Sequence, residues 1–362
     1  MENSSKAWKP SFAGTMRKVY HPIGFKKGYN FVLWFIFAGA LMGFTLARLQ
    51  YLDFYGVFCS AGDSGSNHAA PGECLYYLRG HEKVGIILHL ATILPASFLV
   101  VFQFIPAIRY KLMLFHRLNG YLVIILSLLG TAGVLMIARH AFGGALATQY
   151  ATGFICIAFV GALAMAYINI KRLQIEQHRA WMLRAWFYAG CIITIRIIMI
   201  IAAQVVSQIG GYYDARPCKQ IEYIFGSQEE SLEAYPDCTP FFNGSDPSKQ
   251  VAVEAKFNGN PVQVAVALGS NFGCAMWLAF AIHAIGVEIY LKLTPAESER
   301  LRNVSYQRQL EAGMKNPGRA GLTGDRFGDS EKWVSKRDRS ESEAKAQVTA
   351  HAQKASVPST NV

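Results

Sequence analysis

Apolar residues in this chain gather into six runs, Phe31–Tyr51, Val84–Ile105, Leu118–Ala138, Ala151–Ile170, Trp186–Gln208 and Val262–Leu291. Each holds roughly 20 residues or more, which at ~1.5 Å per residue crosses ~30 Å of hydrocarbon as a helix. The period-2 alternation of a membrane barrel is absent, and a stretch such as Ile192–Val206 carries apolar residues all round. Helices satisfy their own backbone groups in lipid, so the pattern predicts an all-α fold: an integral membrane bundle of six transmembrane helices over 29–292. Residues 1–28 are polar and basic and do not read as a cleavable signal peptide, which leaves the first span to direct insertion. From 293 to 362 the chain turns charged and poor in aromatics, the composition of a disordered tail.

Composition supports the bilayer. Of 362 residues 52% are hydrophobic, 13% aromatic and only 16% charged, against the ~25% charged of an ordinary soluble chain. A net charge of +11 raises nucleic acid as a partner, but its placement argues for topology instead. Lys6, Lys9, Arg17, Lys18, Lys26 and Lys27 precede the first run; Arg109, Lys111 and Arg117 separate the second and third; Lys171, Arg172, Arg179 and Arg184 separate the fourth and fifth. Under the positive-inside rule these segments and both termini are cytosolic, and the loops 52–83 and 209–261 face the lumen of the endoplasmic reticulum or the outside of the plasma membrane.

The loop 209–261 carries eight acidic residues against four basic ones. Cys59 and Cys74 fall in one outer loop and Cys218 and Cys238 in the other, so two disulfides are expected; pairing within each loop is the simplest connectivity, though spacing does not fix it. Asn243-Gly244-Ser245 is a glycosylation sequon in the same loop. At ~50 residues this loop is far longer than an ordinary connection and predicts a disulfide-tied cap or a functional lid.

Because a charge at the bilayer centre costs ~2.5 kcal/mol or more, each ionisable residue inside a run is a candidate for chemistry. His89 lies near the outer end of the second run, on a face with Thr92, Ala96, Leu99 and Gln103 and beside Pro95; it reads either as functional or as an interfacial histidine on a packing seam. Arg196 falls about ten residues into the fifth run, near its middle, and needs either internal acceptors or an anionic ligand. His283 shares a stripe with Phe272, Met276 and Phe280, a pattern commoner in helix packing than in ligand pockets, and Glu288 sits close to the cytosolic end. Gly39 and Gly43 form a small-xxx-small motif expected to bring helices together.

Three short segments carry more. They are His116-Arg117-Leu118-Asn119-Gly120-Tyr121, His140-Ala141-Phe142-Gly143-Gly144 and His178-Arg179-Ala180-Trp181-Met182-Leu183-Arg184. Across roughly residues 84–206, with Arg196, they resemble a domain-of-unknown-function family of multi-pass membrane proteins found in bacteria and fungi, although Tyr121 directly follows the glycine here where the family pattern spaces it. The cysteine-bearing acidic loop and charged tail are similar to the family's fungal branch and to membrane-bound terpene cyclases of the ascofuranone and ascochlorin type. That resemblance implies an enzyme of fungal secondary metabolism acting on a lipophilic prenylated substrate, most concretely by acid-initiated closure of an epoxyfarnesyl chain.

Such a reaction needs a proton donor, a dry pocket and aromatic faces for cationic carbon. Aromatics abound, but carboxylates in the runs are scarce. The candidates for catalysis are His89, His140, Arg196 and Glu288, with Asp53 at the rim; those for ligand binding are His116, Arg117, His178, Arg179 and His283. No metal site and no cofactor are expected. A second reading is a haem b electron carrier, since His89 and His140 toward one face and His116 and His178 toward the other supply one imidazole pair per leaflet. A transporter or structural membrane protein is the third.

Overall fold

The computed structural model describes residues 12–60 and 68–355; Lys6 and Lys9 lie outside them. The chain runs α1 (Phe12–Tyr20), α2 (Gly28–Arg48), α3 (Gly80–Gln103), α4 (Met113–Ile137), α5 (Leu146–Lys171), α6 (Ile175–Ile209), β1 (Tyr213–Pro217), α7 (Cys218–Phe225), α8 (Gln228–Ala234), β2 (Gln250–Glu254), α9 (Pro261–Leu293), α10 (Pro295–Glu311) and α11 (Lys336–Ala355). Six of these, α2, α3, α4, α5, α6 and α9, are long and apolar enough to cross a membrane. Their surfaces keep large apolar side chains uncovered: Phe35, Leu114 and Ile157 are 64%, 71% and 75% exposed, as lipid-facing residues are. The predicted six-helix fold is what the structure shows.

Several helices outrun the apolar runs that predicted them. The helix α6 spans 35 residues, beginning eleven before Trp186, because the polar segment Ile175–Ala185 has no helix breaker and continues the same helix. In the same way α9 spans 33 residues.

The chain divides into two compact units, Met1–Cys156 with Gly190–Ala281, and Ile157–Ala189 with Ile282–Val362. In the first, α3 and α4 pack through glycines. A methyl at Gly133 would come 2.6 Å from the Gly85 carbonyl and 2.7 Å from the His89 nitrogen, so only glycine admits the approach. Gly39 and Gly43, the expected packing motif, have nothing within 4 Å. The loop 209–261 folds into a cap: β1 and β2 pair antiparallel from Tyr213↔Glu254 to Pro217↔Gln250, and Cys218 is joined to Cys238. Ile221, Val251 and Val253 pack there with Ala203 of α6 and Val262 and Val266 of α9. Cys59 and Cys74 form the second disulfide. Within-loop pairing is therefore the connectivity adopted, and the small sheet is the one element an all-helical reading omits.

The second unit departs from expectation more sharply. Residues 293–335, read as disordered, fold around three buried amides, Asn169, Gln174 and Gln309, each fully inaccessible. Gln174 Nε2 donates to the Gly318 carbonyl (3.0 Å) and Gln309 Nε2 to the Arg172 carbonyl (2.9 Å); Gln174 Oε1 accepts from Gly321 N–H (2.8 Å) and Asn169 Oδ1 from Leu322 N–H (2.8 Å). Ser305 of α10 donates to Glu176 (2.7 Å). Low hydrophobicity hid this structure, since it is held by amide hydrogen bonds rather than by an apolar core.

Candidate functional site

In the first unit the turn after α4 gathers a charged constellation. His140-Ala141-Phe142-Gly143-Gly144 closes on itself with Phe142 in the left-handed region (φ 49°), strained for a residue with a side chain, followed by Gly143 (φ 85°) and Gly144 (φ 71°). The two glycines are steric necessities. A methyl at Gly143 would meet the Arg216 guanidinium at 2.5 Å, and one at Gly144 would collide with the Arg139 carbonyl.

That turn presents the Phe142 N–H to Glu73, whose Oε1 accepts it at 2.8 Å together with the Tyr77 hydroxyl at 3.2 Å, while Oε2 accepts from Ala70 N–H at 2.9 Å. Glu73 is 5% exposed. Burial pushes its carboxyl above the ordinary carboxylate range; the bonds from Phe142 and Ala70, the charge of Arg196 and the Tyr77 hydroxyl pull the other way and do not cancel it. Burial likewise holds the Tyr77 phenol well above its usual value, and the neighbouring Glu73 adds to it, so Tyr77 remains a donor.

Arg196 comes to the same place from α6. Its guanidinium stands 4.5 Å from the Phe142 ring centre and 5.4 Å from that of Phe272, and these two rings are stacked at 4.0 Å. No described residue accepts a hydrogen bond from it. Arg196, expected near the middle of its span, thus lies over the ring of Phe142 from the turn between α4 and α5 and over that of Phe272 from α9.

On the other side of the turn, His140 Nδ1 lies 2.5 Å from Glu82 Oε1, and its ring stacks on Tyr76 at 3.8 Å, nearly parallel. Glu82 is 5% exposed and its Oε2 has no hydrogen-bond partner among the described residues. Arg216 of β1 donates to the Gly143 carbonyl (3.2 Å) and pairs with Asp214 (3.0 Å), and its buried Nε has no hydrogen-bond partner among the described residues.

Other candidates fall elsewhere. His89 is half-buried at the α3–α4 contact, its Nδ1 donating to the Gly130 carbonyl (2.8 Å); it lies two helical turns along α3 from Glu82, which His140 contacts instead. Near the start of α4, Gln103 Nε2 donates to the His116 carbonyl (3.1 Å) and Asn119 Nδ2 to Leu99 (3.0 Å), so this motif fastens α3 to α4; Arg117 is exposed. In the second unit His178 Nδ1 donates to Ala166 (2.9 Å), Arg179 to the Tyr290 hydroxyl (3.1 Å), and His283 Nδ1 to Phe187 (2.8 Å). Glu288, a candidate acid, is held by both faces of the Arg184 guanidinium fork at 2.5 and 2.9 Å. That bidentate pair satisfies it as a structural anion. Asp53 caps the turn that follows it, accepting from Gly56 N–H (2.9 Å).

The structure thus joins His140 and Arg196 to two carboxylates that sequence reasoning did not weigh, Glu73 and Glu82, and to Phe272, weighed only in the stripe it shares with His283. Glu73 is adjacent to a disulfide cysteine and Glu82 lies in the first turn of α3, outside every apolar run. Neither stood out among the acidic residues of a loop.

Residues 86–215 match the family described as "Predicted membrane protein (DUF2306)". This agrees with the segment on which the motifs carry their resemblance. Over 342 residues the chain is 25% identical to "Ava biosynthesis cluster protein G" of Aspergillus versicolor, an alignment covering 81% of this chain and 97% of that relative. No solved structure matches. The family segment holds His89, His116, His140, His178 and Arg196, and excludes Glu73, Glu82 and Phe272.

Proposed function

We propose that this protein is a membrane-bound enzyme that cyclises a lipophilic, prenylated substrate by protonating it, with Glu73 as the acid. The observation that carries the reading is a buried carboxyl biased toward its protonated form beside a pair of stacked rings that already face a positive charge. Acid-initiated cyclisation needs those two things together: a proton held away from water, and π-faces for the cation it creates.

In this reading Glu73 gives its proton to the oxygen of an epoxide. The C–O bond opens, the chain's double bonds close on the resulting carbocation, and the last cation loses a proton to His140. Glu82 orients His140 as its base. The proton returned equals the proton given, so product and substrate are isomers. Arg196, without an acceptor among the described residues, holds an oxygen of the substrate's head group. The relative named for a fungal biosynthesis cluster supports this choice of chemistry. The spread of Lys and Arg supports both termini in the cytosol and the cysteine-bearing loops in the lumen of the endoplasmic reticulum or outside the plasma membrane.

The test is incubation of purified protein with an epoxyfarnesyl phenol. A cyclised isomer of unchanged mass is expected. Intact substrate recovered from folded protein, with both disulfides formed, would refute the reading.

A further inference from the structure

The folded segment after α10 builds a second feature that the reaction does not use. A shallow cavity of about 380 Å³, wide open at the surface of the second unit, is lined by Arg172, Gly313, Met314, Lys315, Asn316, Ala320 and Arg326. Three of these are cations and none is an acid. Arg172 directly follows the last residue of α5, a membrane-crossing helix, so the cavity opens at the depth where that helix leaves the hydrocarbon.

The cations have not drifted together. Gly313 reverses the chain with φ 66°, and the buried amides then fix the loop: Gly318 N–H donates to Gln309 Oε1 at 2.6 Å, and Gly321 N–H to Gln174 Oε1 at 2.8 Å. Arg172 and Arg326 both donate to the Ala320 carbonyl, which holds two guanidinium groups over one oxygen. The carboxylate closest in sequence, Asp325, is taken by Arg302 and Arg319 and does not line the cavity. Lys315 has no described hydrogen-bond or ion-pair partner. Like charges repel, so a frame that holds three of them around one open cavity with no carboxylate in its lining favours an anion there.

We infer that this cavity binds a phosphate group, at the head-group level of the membrane face bearing the Lys/Arg-rich loops. Two sources share that chemistry: the head group of an anionic phospholipid and a soluble phosphate. Lipid is the natural source at this depth, because anionic head groups attract basic clusters next to a membrane span.

The intact protein in nanodiscs distinguishes them. Thermal stability is measured in phosphatidylcholine alone, with added phosphatidylinositol phosphate, and with inorganic phosphate in solution. Stabilisation by the anionic lipid assigns the site to a head group, and stabilisation by inorganic phosphate assigns it to a soluble ligand; either supports the inference. Lys315→Gln, which breaks no described contact, is expected to weaken the effective anion about fivefold, and Lys315→Gln with Arg326→Gln about 25-fold, at roughly fivefold per cation. Lys315→Gln must leave stability in phosphatidylcholine unchanged, which guards against misfolding. If neither anion stabilises the protein, or both stabilise the variants as well as the parent, the inference is wrong.

Discussion

Two buried polar clusters in this molecule have opposite character. Around Gln174, Gln309 and Asn169 the groups are amides and every one is satisfied, acceptors against N–H groups and donors against carbonyls and the buried carboxylate of Glu176, itself held by Ser305. Around Glu73 and Arg196 the groups are charged, the backbone at Phe142 is left-handed, Glu82 Oε2 and Arg216 Nε are buried with no hydrogen-bond partner among the described residues, and a guanidinium rests on aromatic rings. A saturated network specifies a fold, because leaving any member unpaired has a cost. An unsaturated, charged and strained one stores free energy that a substrate can use. Substitutions in the first should change stability and spare turnover; those in the second should do the reverse.

The largest effect short of losing the acid itself is expected at Arg196. Arg196→Gln removes a charged donor that has no hydrogen-bond acceptor among the described residues, and kcat/KM should fall ~10–100-fold, the loss of one charge-assisted bond to substrate, while thermal stability holds or rises. A parallel fall in stability would place Arg196 in the structural class instead. Gln309→Leu is the mirror experiment. It strips partners from the Gly318 N–H and the Arg172 carbonyl at ~1–3 kcal/mol per buried group, lowering the melting temperature with turnover per folded molecule unchanged.

Serine at both Cys218 and Cys238 opens a bridge of sequence separation 20 and should cost ~3 kcal/mol in unfolding free energy by denaturant titration. The smallest effect is expected at Asn243, exposed, with its Oδ1 accepting from Ser245 N–H (3.0 Å). If the cap is lumenal, endoglycosidase should shift the parent on a gel and leave Asn243→Gln unmoved, with no change in stability. An unglycosylated parent from a glycosylating host would count against that topology.

The contrast also explains what was legible in the sequence. The six spans were, because apolar runs of ~20 residues have few other outcomes. The His140–Gly144 turn was legible as a motif, since its two glycines take the positive φ that a tight turn imposes locally. The acid was not: Glu73 acquires its environment from Phe142, 69 positions away, and from Arg196. Glu288, which the composition of the spans favoured, is neutralised by Arg184 across 104 positions. Ionisable chemistry depends on such long-range company, and neither hydropathy nor spacing records it. The tail failed for the converse reason: amides that bond to backbone resemble a solvated sequence.

The reading stands most directly on Glu73→Gln, which keeps the acceptor for Phe142 and Tyr77 and removes the acidic proton. With parent-like melting and both disulfides formed, cyclisation should fall ~10²–10⁴-fold, and the parent's kcat/KM should decline as pH rises through the raised pKa of Glu73, where the proton is lost. Parent-like turnover in Glu73→Gln, with that same pH limb intact, would show that the proton comes from another group.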